Sequence, residues 1–221
     1  MQIWSVHPDG SGARPLISDG YSNSPQVCGG GRYIVYAAWR NQTETVWRMD
    51  PDGANAQQLT QGKDDWGPVC ADNSEWVYYL AHDAIRKVPL AGGQSVEIVS
   101  RDLQPDKMAI SPDGRMLLTS ILQSSTINFV ILDPDGHLLK TLKPRFRLAF
   151  GFTPDSRAIL YADRTGRNLM RQPLEDDTPA QPITDFISEQ IPRFAWSRDG
   201  KQLVLTRTVP TQDVVLIRNF R

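Results

Sequence analysis

A single turn-and-strand unit recurs five times in this 221-residue chain, its tightest point falling at Gly31, Asn73, Gly114, Ser156 and Gly200, in steps of 42, 41, 42 and 44 residues. A second turn keeps the same period at Gly10, Gly53, Gly92, Gly136 and, less distinctly, Asp176. Two hairpins per period mean four strands per period. A fixed repeat of this length is the signature of a β-propeller, in which each period forms one four-stranded antiparallel blade.

The third period shows the unit most clearly. Met108 to Ser111 leads into the turn Pro112-Asp113-Gly114-Arg115, and Met116 to Ser120 follows. Proline presets φ at the first corner, aspartate bonds back to the chain, and glycine takes the left-handed conformation. Asn73 tolerates that conformation, whereas Ser156 predicts strain or another turn type in the fourth period.

After each turn comes an apolar run: Tyr33 to Ala38, Trp76 to Ala81, Met116 to Leu118, Ala158 to Ala162 and Leu203 to Leu205. Unbroken apolar runs of this length suit strands covered on both faces by neighbouring blades. Third strands are expected at Val46–Met49, Ile85–Val88, Phe129–Leu132 and Leu169–Gln172. Shorter, more polar outer strands are expected at Gln57–Thr60, Val96–Val99, Leu139–Leu142 and Gln181–Thr184, where Pro182 suits an edge.

The whole of 1–221 reads as one all-β domain, with repeats near 3–17 (partial), 25–60, 68–99, 108–142, 150–184 and 192–220. Ile3 to Val6 and Val214 to Ile217 both read as third strands. About five blades are therefore present. Either the ring closes with five, or, as preferred here, the chain is the C-terminal part of a six- to eight-bladed propeller, because Ile3 to Val6 would be left over in a five-bladed ring.

Twenty-four basic against twenty-five acidic residues give a net charge of -1, which supplies no electrostatic attraction to nucleic acid or an anionic membrane. No apolar run approaches the roughly 18 residues of a membrane span, and as written the chain reads as soluble. Cys28 and Cys70 occupy one slot of successive repeats, filled later by Ser111, Thr153 and Ser197, and read as small core-edge residues. Equivalent strands of neighbouring blades lie in sheets about 10 Å apart, so two free thiols are expected.

Ile3-Trp4, Val46 to Gly53, Gln58-Leu59-Thr60 and Ser111 to Arg115 together resemble the TolB-type, WD-repeat-like propeller repeat over essentially the whole chain. Phe194 to Leu203, with the ending Asp213 to Phe220, is similar to the C-terminal propeller of bacterial membrane-associated serine/threonine protein kinases. Similar propellers also follow winged-helix DNA-binding domains in some bacterial regulators. The resemblance implies a sensor or protein-interaction module, extracytoplasmic if attached to a membrane-spanning kinase and cytoplasmic otherwise. Kinase activity does not carry over, because the glycine-rich loop, His-Arg-Asp and Asp-Phe-Gly are all missing from this sequence.

No reactive constellation is visible. The sequence has no Gly-x-Ser-x-Gly elbow. His7, His82 and His137 fall in or near loops of different repeats and read as solvated turn residues. Asp9, Asp52, Asp113, Asp135, Asp155 and Asp199 recur where tight turns want them, and Trp4 and Trp47 share a register that reads as inter-blade packing. No cofactor or metal is expected.

What remains is surface. The loops joining one blade to the next, at Ser18–Ser24, Gln61–Gly67, Ser100–Lys107, Lys143–Arg147 and Asp185–Ile191, gather in this fold on the channel face. They carry Tyr21, Asp64, Asp65, Trp66, Arg145, Phe146, Arg147, Phe186 and Glu189 as candidate protein-contact residues, aromatic and arginine side chains being over-represented at binding hot spots. Lys143 to Arg147 is too short a basic cluster to suggest nucleic acid. The expected function is therefore non-catalytic capture of a protein or peptide. An enzyme acting on a saccharide or peptide in the channel, or a purely structural spacer, stands as the alternative.

Overall fold

The computed structural model describes residues 2–18, 20–82, 84–100, 105–123, 126–142, 149–175 and 178–209. These residues are all-β. Four sheets have four antiparallel strands in sequence order. Blade 1 holds β3 (Tyr21–Cys28), β4 (Tyr33–Arg40), β5 (Thr43–Met49) and β6 (Gln57–Gln58). Blade 2 holds β7 (Asp65–Val69), β8 (Trp76–Ala81), β9 (Ala84–Pro89) and β10 (Val96–Val99). Blade 3 holds β11 (Pro105–Ile110), β12 (Leu117–Gln123), β13 (Thr126–Leu132) and β14 (Leu138–Leu142). Blade 4 holds β15 (Phe150–Phe152), β16 (Ala158–Ala162), β17 (Leu169–Pro173) and β18 (Gln181–Pro182). Two-stranded sheets come before and after these, β1 (Trp4–Ser5) with β2 (Arg14–Pro15) and β19 (Gln190–Trp196) with β20 (Leu203–Thr208). The third strand expected at Val214–Ile217 lies outside the described residues.

The chain divides into two compact units, Met1–Arg145 with Gly151–Ser156, and Phe146–Phe150 with Arg157–Arg221. In the first, blades pack face to face. Val35 and Val46 of blade 1 meet Val77, Tyr79 and Val88 of blade 2, and Tyr78, Leu80 and Ile85 of blade 2 meet Leu117, Val130 and Leu132 of blade 3. This explains the missing in-out alternation, since both faces of β4 and β8 are covered. A recurring clasp adds to the packing. Arg48 stacks 4.6 Å from the Tyr33 ring and donates to the Leu90 carbonyl of blade 2, while Lys87 stacks 5.2 Å from the Trp76 ring and reaches Pro134 O and Asp135 in blade 3. In the second unit β16 is buried throughout, and the Thr184 hydroxyl accepts the Leu169 amide as the Thr60 hydroxyl accepts that of Val46. The threonine two residues beyond each of these outer strands thus extends the pairing through its side chain.

Three sequence expectations are corrected. First, Cys28 and Cys70 form a disulfide, with Cα atoms 5.9 Å apart. The inter-sheet spacing does not apply at this place, because the inner strands converge where they end: Gly30 donates to the Asp72 carbonyl at 2.6 Å, joining the two turns. In blades with a hydroxyl in the slot, the turn is locked internally. Ser111 donates to Asp113 and accepts the Met116 amide, and Ser197 does the same with Asp199 and Gln202. The slot is a turn lock. Second, Asn73 does not adopt positive φ; the turn slips by one residue, with Ser74 donating to Ala71 where Gly31 donates to Cys28. Ser156 does adopt it, at φ 58°, and its hydroxyl accepts the Asp113 amide of blade 3 at 3.3 Å, a bond glycine could not make. Third, Trp4 is 56% exposed, because Ile3 faces the cluster with Tyr36 and Met49 and the next residue points the other way. Trp47 does pack there, as expected.

Candidate functional site

Proline lies within the inner strands, at Ser24-Pro25 in β3 and Gly67-Pro68 in β7. An inner edge strand can spare an N–H, and the residue before each proline sits at positive φ, 52° at Ser24 and 59° at Gly67. The result is a bulge in each strand, between Asn23 and Gln26 and between Trp66 and Val69. Bulges re-aim the residues beyond them. Tyr21, Asp65 and Trp66, expected in loops, are therefore strand residues.

Blade 1 also reaches farther than blade 2. Ala38 pairs with Thr45 as Ala81 pairs with Ala84, but the blade 1 ladder continues through Trp39↔Glu44 to Arg40↔Thr43, two rungs more. One row of partners thus crosses the blade end: Tyr21 beside Trp39, Trp39 beside Glu44, and Glu44 bridged to Asp64 in the segment that leads to blade 2. Alternation puts Trp39 and Glu44 on the face of Val35 and Val46, which looks toward blade 2. The blade 2 ladder, two rungs shorter, stops before the rung that corresponds to theirs. Tyr21 and Trp39 are each 47% exposed, and the half-buried Glu44 accepts a hydrogen bond from the Asn23 amide at 2.9 Å.

The segment is held from below. Asp65 is 4% exposed and accepts the Gly62 amide at 2.9 Å. Burial pushes its carboxyl above the ordinary range, against the pull of the Thr60 and Gly62 donors. The Glu44 amide donates to Lys63 O, and the His82 amide donates to Asp64 O, each at 2.9 Å.

The structure thus joins Tyr21 and Asp64 of the sequence candidates and adds Trp39 and Glu44, which sequence reading missed. Asp65 is a buried brace, not a contact residue. Trp66 is half-buried against the cluster of Tyr78, Leu80 and Leu117, so packing between blades claims it. Glu189 is tied to Arg207 at 2.8 Å, whose guanidinium stacks 4.1 Å from the Phe186 ring, within the second unit. Arg145, Phe146 and Arg147 lie outside the described residues. The missed pair carries a signal in hindsight: Thr-Glu-Thr after Asn-Gln makes this hairpin longer than its counterpart at His82.

The turn aspartates behave as their positions predict. Asp9 accepts the Ser11 amide and hydroxyl, Asp52 the Ala54 amide, and Asp113 and Asp199 the amides two residues on. Asp135 departs from this, reaching across to Lys87 at 2.7 Å. His7, His82 and His137 are exposed. His137 pairs with Asp133 at 2.9 Å, which raises the imidazole above its ordinary range. Among the described residues no three His, Cys, Asp or Glu side chains are grouped to hold a metal ion.

No family model matches the sequence, and no curated protein matches it. Solved structures match its fold. TolB from Acinetobacter baumannii aligns with TM-score 0.73 at 14% identity over 91% of this chain and 53% of that one. A TolB-type structure from Agrobacterium tumefaciens aligns with TM-score 0.73 at 17% identity over 89% and 73%. An oligogalacturonate lyase in complex with manganese aligns with TM-score 0.63 at 14% identity over 85% and 59%. This chain thus spans about half of the Acinetobacter TolB. Identity this low speaks for fold alone, and in fold this chain is a β-propeller of the TolB type.

Proposed function

We propose that this chain is a non-catalytic propeller module that binds a protein or peptide partner at the end of blade 1. One observation carries the reading: Tyr21 and Trp39 stand side by side, half-exposed, on a ladder that overhangs its neighbour. Monomeric proteins seldom leave paired large aromatics uncovered, and such residues dominate interface energetics. They also sit on strands, so a partner meets a surface that is already ordered. The likeness to TolB-type propellers supports a binding role over a catalytic one, and the lyase likeness favours no enzymatic reading of the described residues.

The disulfide supports residence in an oxidising, extracytoplasmic compartment, since such bridges persist poorly in a reducing cytosol. Attachment to a bacterial signalling protein of the kinase type belongs to the same proposal and rests on the resemblance of Phe194 to Leu203.

Selection of a random displayed peptide library on the immobilised chain tests the binding role. Enriched peptides should bind the wild-type chain and lose at least tenfold in affinity against a variant carrying Tyr21→Ala and Trp39→Ala, the loss expected from hot-spot aromatics. Peptides that bind this variant as well as the wild type would remove the blade 1 end as the docking face.

A further inference from the structure

We infer that the segment this face receives carries a lysine or arginine side chain, seated against the Tyr21–Trp39 pair and neutralised by Glu44 and Asp64. The inference rests on the docking face proposed above and adds the chemistry of its occupant.

Three observations converge on a cation. The row Tyr21–Trp39–Glu44–Asp64 brings two aromatic rings and two carboxylates into consecutive positions across the blade end. Ring faces attract cations through their quadrupole, and the attraction grows when the site is partly desolvated. Next, Glu44 is half-buried and its described side-chain partner is the neutral Asn23 amide. Neither Glu44 nor Asp64 has a cationic partner within ion-pair distance among the described residues, although Lys63 lies between them in the chain. A carboxylate drawn part-way out of water without a counter-charge leaves a negative potential beside the rings.

Lastly, the guanidinium next along β4 is directed elsewhere. Arg40 follows Trp39 and so projects from the opposite face, where it stacks 4.2 Å from the Trp47 ring. Alternation along β4 therefore sorts the hairpin into a face where Arg40 stacks on Trp47 and a face where Arg48 is committed to the Tyr33 ring and the Leu90 carbonyl, which leaves the Glu44 carboxylate beside Trp39 without an ion-pair partner among the described residues. Asp65, buried beneath, fixes the segment that presents Asp64 through its bond from the Gly62 amide. A peptide cation suits the site better than a neutral ring ligand, because the two carboxylates would otherwise stay unneutralised beside it.

The test titrates the 15N-labelled chain with four capped peptides, Gly-Ser-X-Ser-Gly, where X is arginine, lysine, citrulline or glutamate. The Trp39 indole signal, identified by its loss in Trp39→Phe, is followed. Arginine and lysine peptides should shift it saturably, and the citrulline and glutamate peptides should not. Glu44→Gln should weaken the arginine peptide roughly tenfold, as expected for removing one charge from a close pair, with Asp64→Asn weakening it less. An unchanged amide spectrum elsewhere confirms that these conservative variants fold. Equal shifts from arginine and citrulline, an arginine affinity unmoved by Glu44→Gln, or no saturable shift would overturn the inference. So would a shift caused by maltohexaose and not by the arginine peptide. Library peptides that require Tyr21 and Trp39 but contain no lysine or arginine would sink the cation and leave the docking face standing. Peptides indifferent to Tyr21→Ala and Trp39→Ala would sink both.

Discussion

Reducing the Cys28–Cys70 bridge should destabilise the first unit by about 4 kcal/mol. The bridge closes a loop of 42 residues. Cross-linking a loop of that length removes about 13 cal/mol/K of entropy from the unfolded chain, or about 4 kcal/mol at 25 °C. The two turns are independently joined by the Gly30–Asp72 bond, so the native geometry needs little adjustment when the bridge opens. Both sulfurs are buried, which makes Cys28→Ala with Cys70→Ala the better variant, since serine would add buried hydroxyls. The assay is urea unfolding followed by tryptophan fluorescence, with and without a phosphine reductant. With a slope of about 2 kcal/mol/M for a unit of this size, the midpoint should fall by about 2 M. If the chain unfolds in two steps, the step that moves is the one reporting Trp47 and Trp76 of the first unit. Alkylation and intact mass supply the control: two additions after reduction, none before. A midpoint that stays within about 0.3 M while both thiols are alkylated would refute the reasoning.

Other perturbations probe the brace, the turns and the clasp. A carboxyl raised above its ordinary value of 3.8 binds its proton more tightly folded than unfolded. Ionisation of Asp65 therefore opposes folding, with the penalty absent below that value and complete once pH passes the folded one. Asp65→Asn, which keeps an acceptor for Gly62, should match or exceed wild-type stability at pH 7, and the difference should vanish below pH 3.8 in thermal melts. Gly136 sits at φ 92° with the Ile98 carbonyl where a Cβ would go, whereas Gly10 sits at φ 84° in open space. Gly136→Ala should cost more than ~2 kcal/mol and Gly10→Ala only ~1 in urea unfolding, the excess reporting steric contact beyond backbone strain. Lys87→Met removes the bonds to Pro134 and Asp135 from a side chain only 13% exposed, and should lower stability by ~1–2 kcal/mol at low salt, less at high salt.

Most of the architecture was legible because a propeller writes its period into its turns. The Asp-Gly pairs at Gly53, Gly114, Gly136 and Gly200 fix where hairpins fold, and the apolar runs follow from blades covered on both faces. Contacts between repeats were less legible. Cys28-Gly-Gly-Gly lacks both the hydroxyl and the aspartate that lock the later turns, which is the local trace of a different tie, but only convergence of the inner strands brings Cys28 to Cys70. The proposed docking face was half visible. Tyr21 and Asp64 stood out as residue types in joining segments, yet placing Trp39 and Glu44 beside them required the register of β3 and β4 past a bulge and the two extra rungs of one hairpin. Asp65 and Trp66 misled for the same reason: the Gly67-Pro68 bulge hides a strand that starts earlier than its composition suggests.

Hydrogen–deuterium exchange of the oxidised chain, with and without a library-selected peptide, tests the docking face most directly. Protection confined to 21–24, 37–45 and 61–66 is the expected result. Protection centred instead on the outer turns at 50–54 and 133–137, or on 185–191 of the second unit, would contradict it.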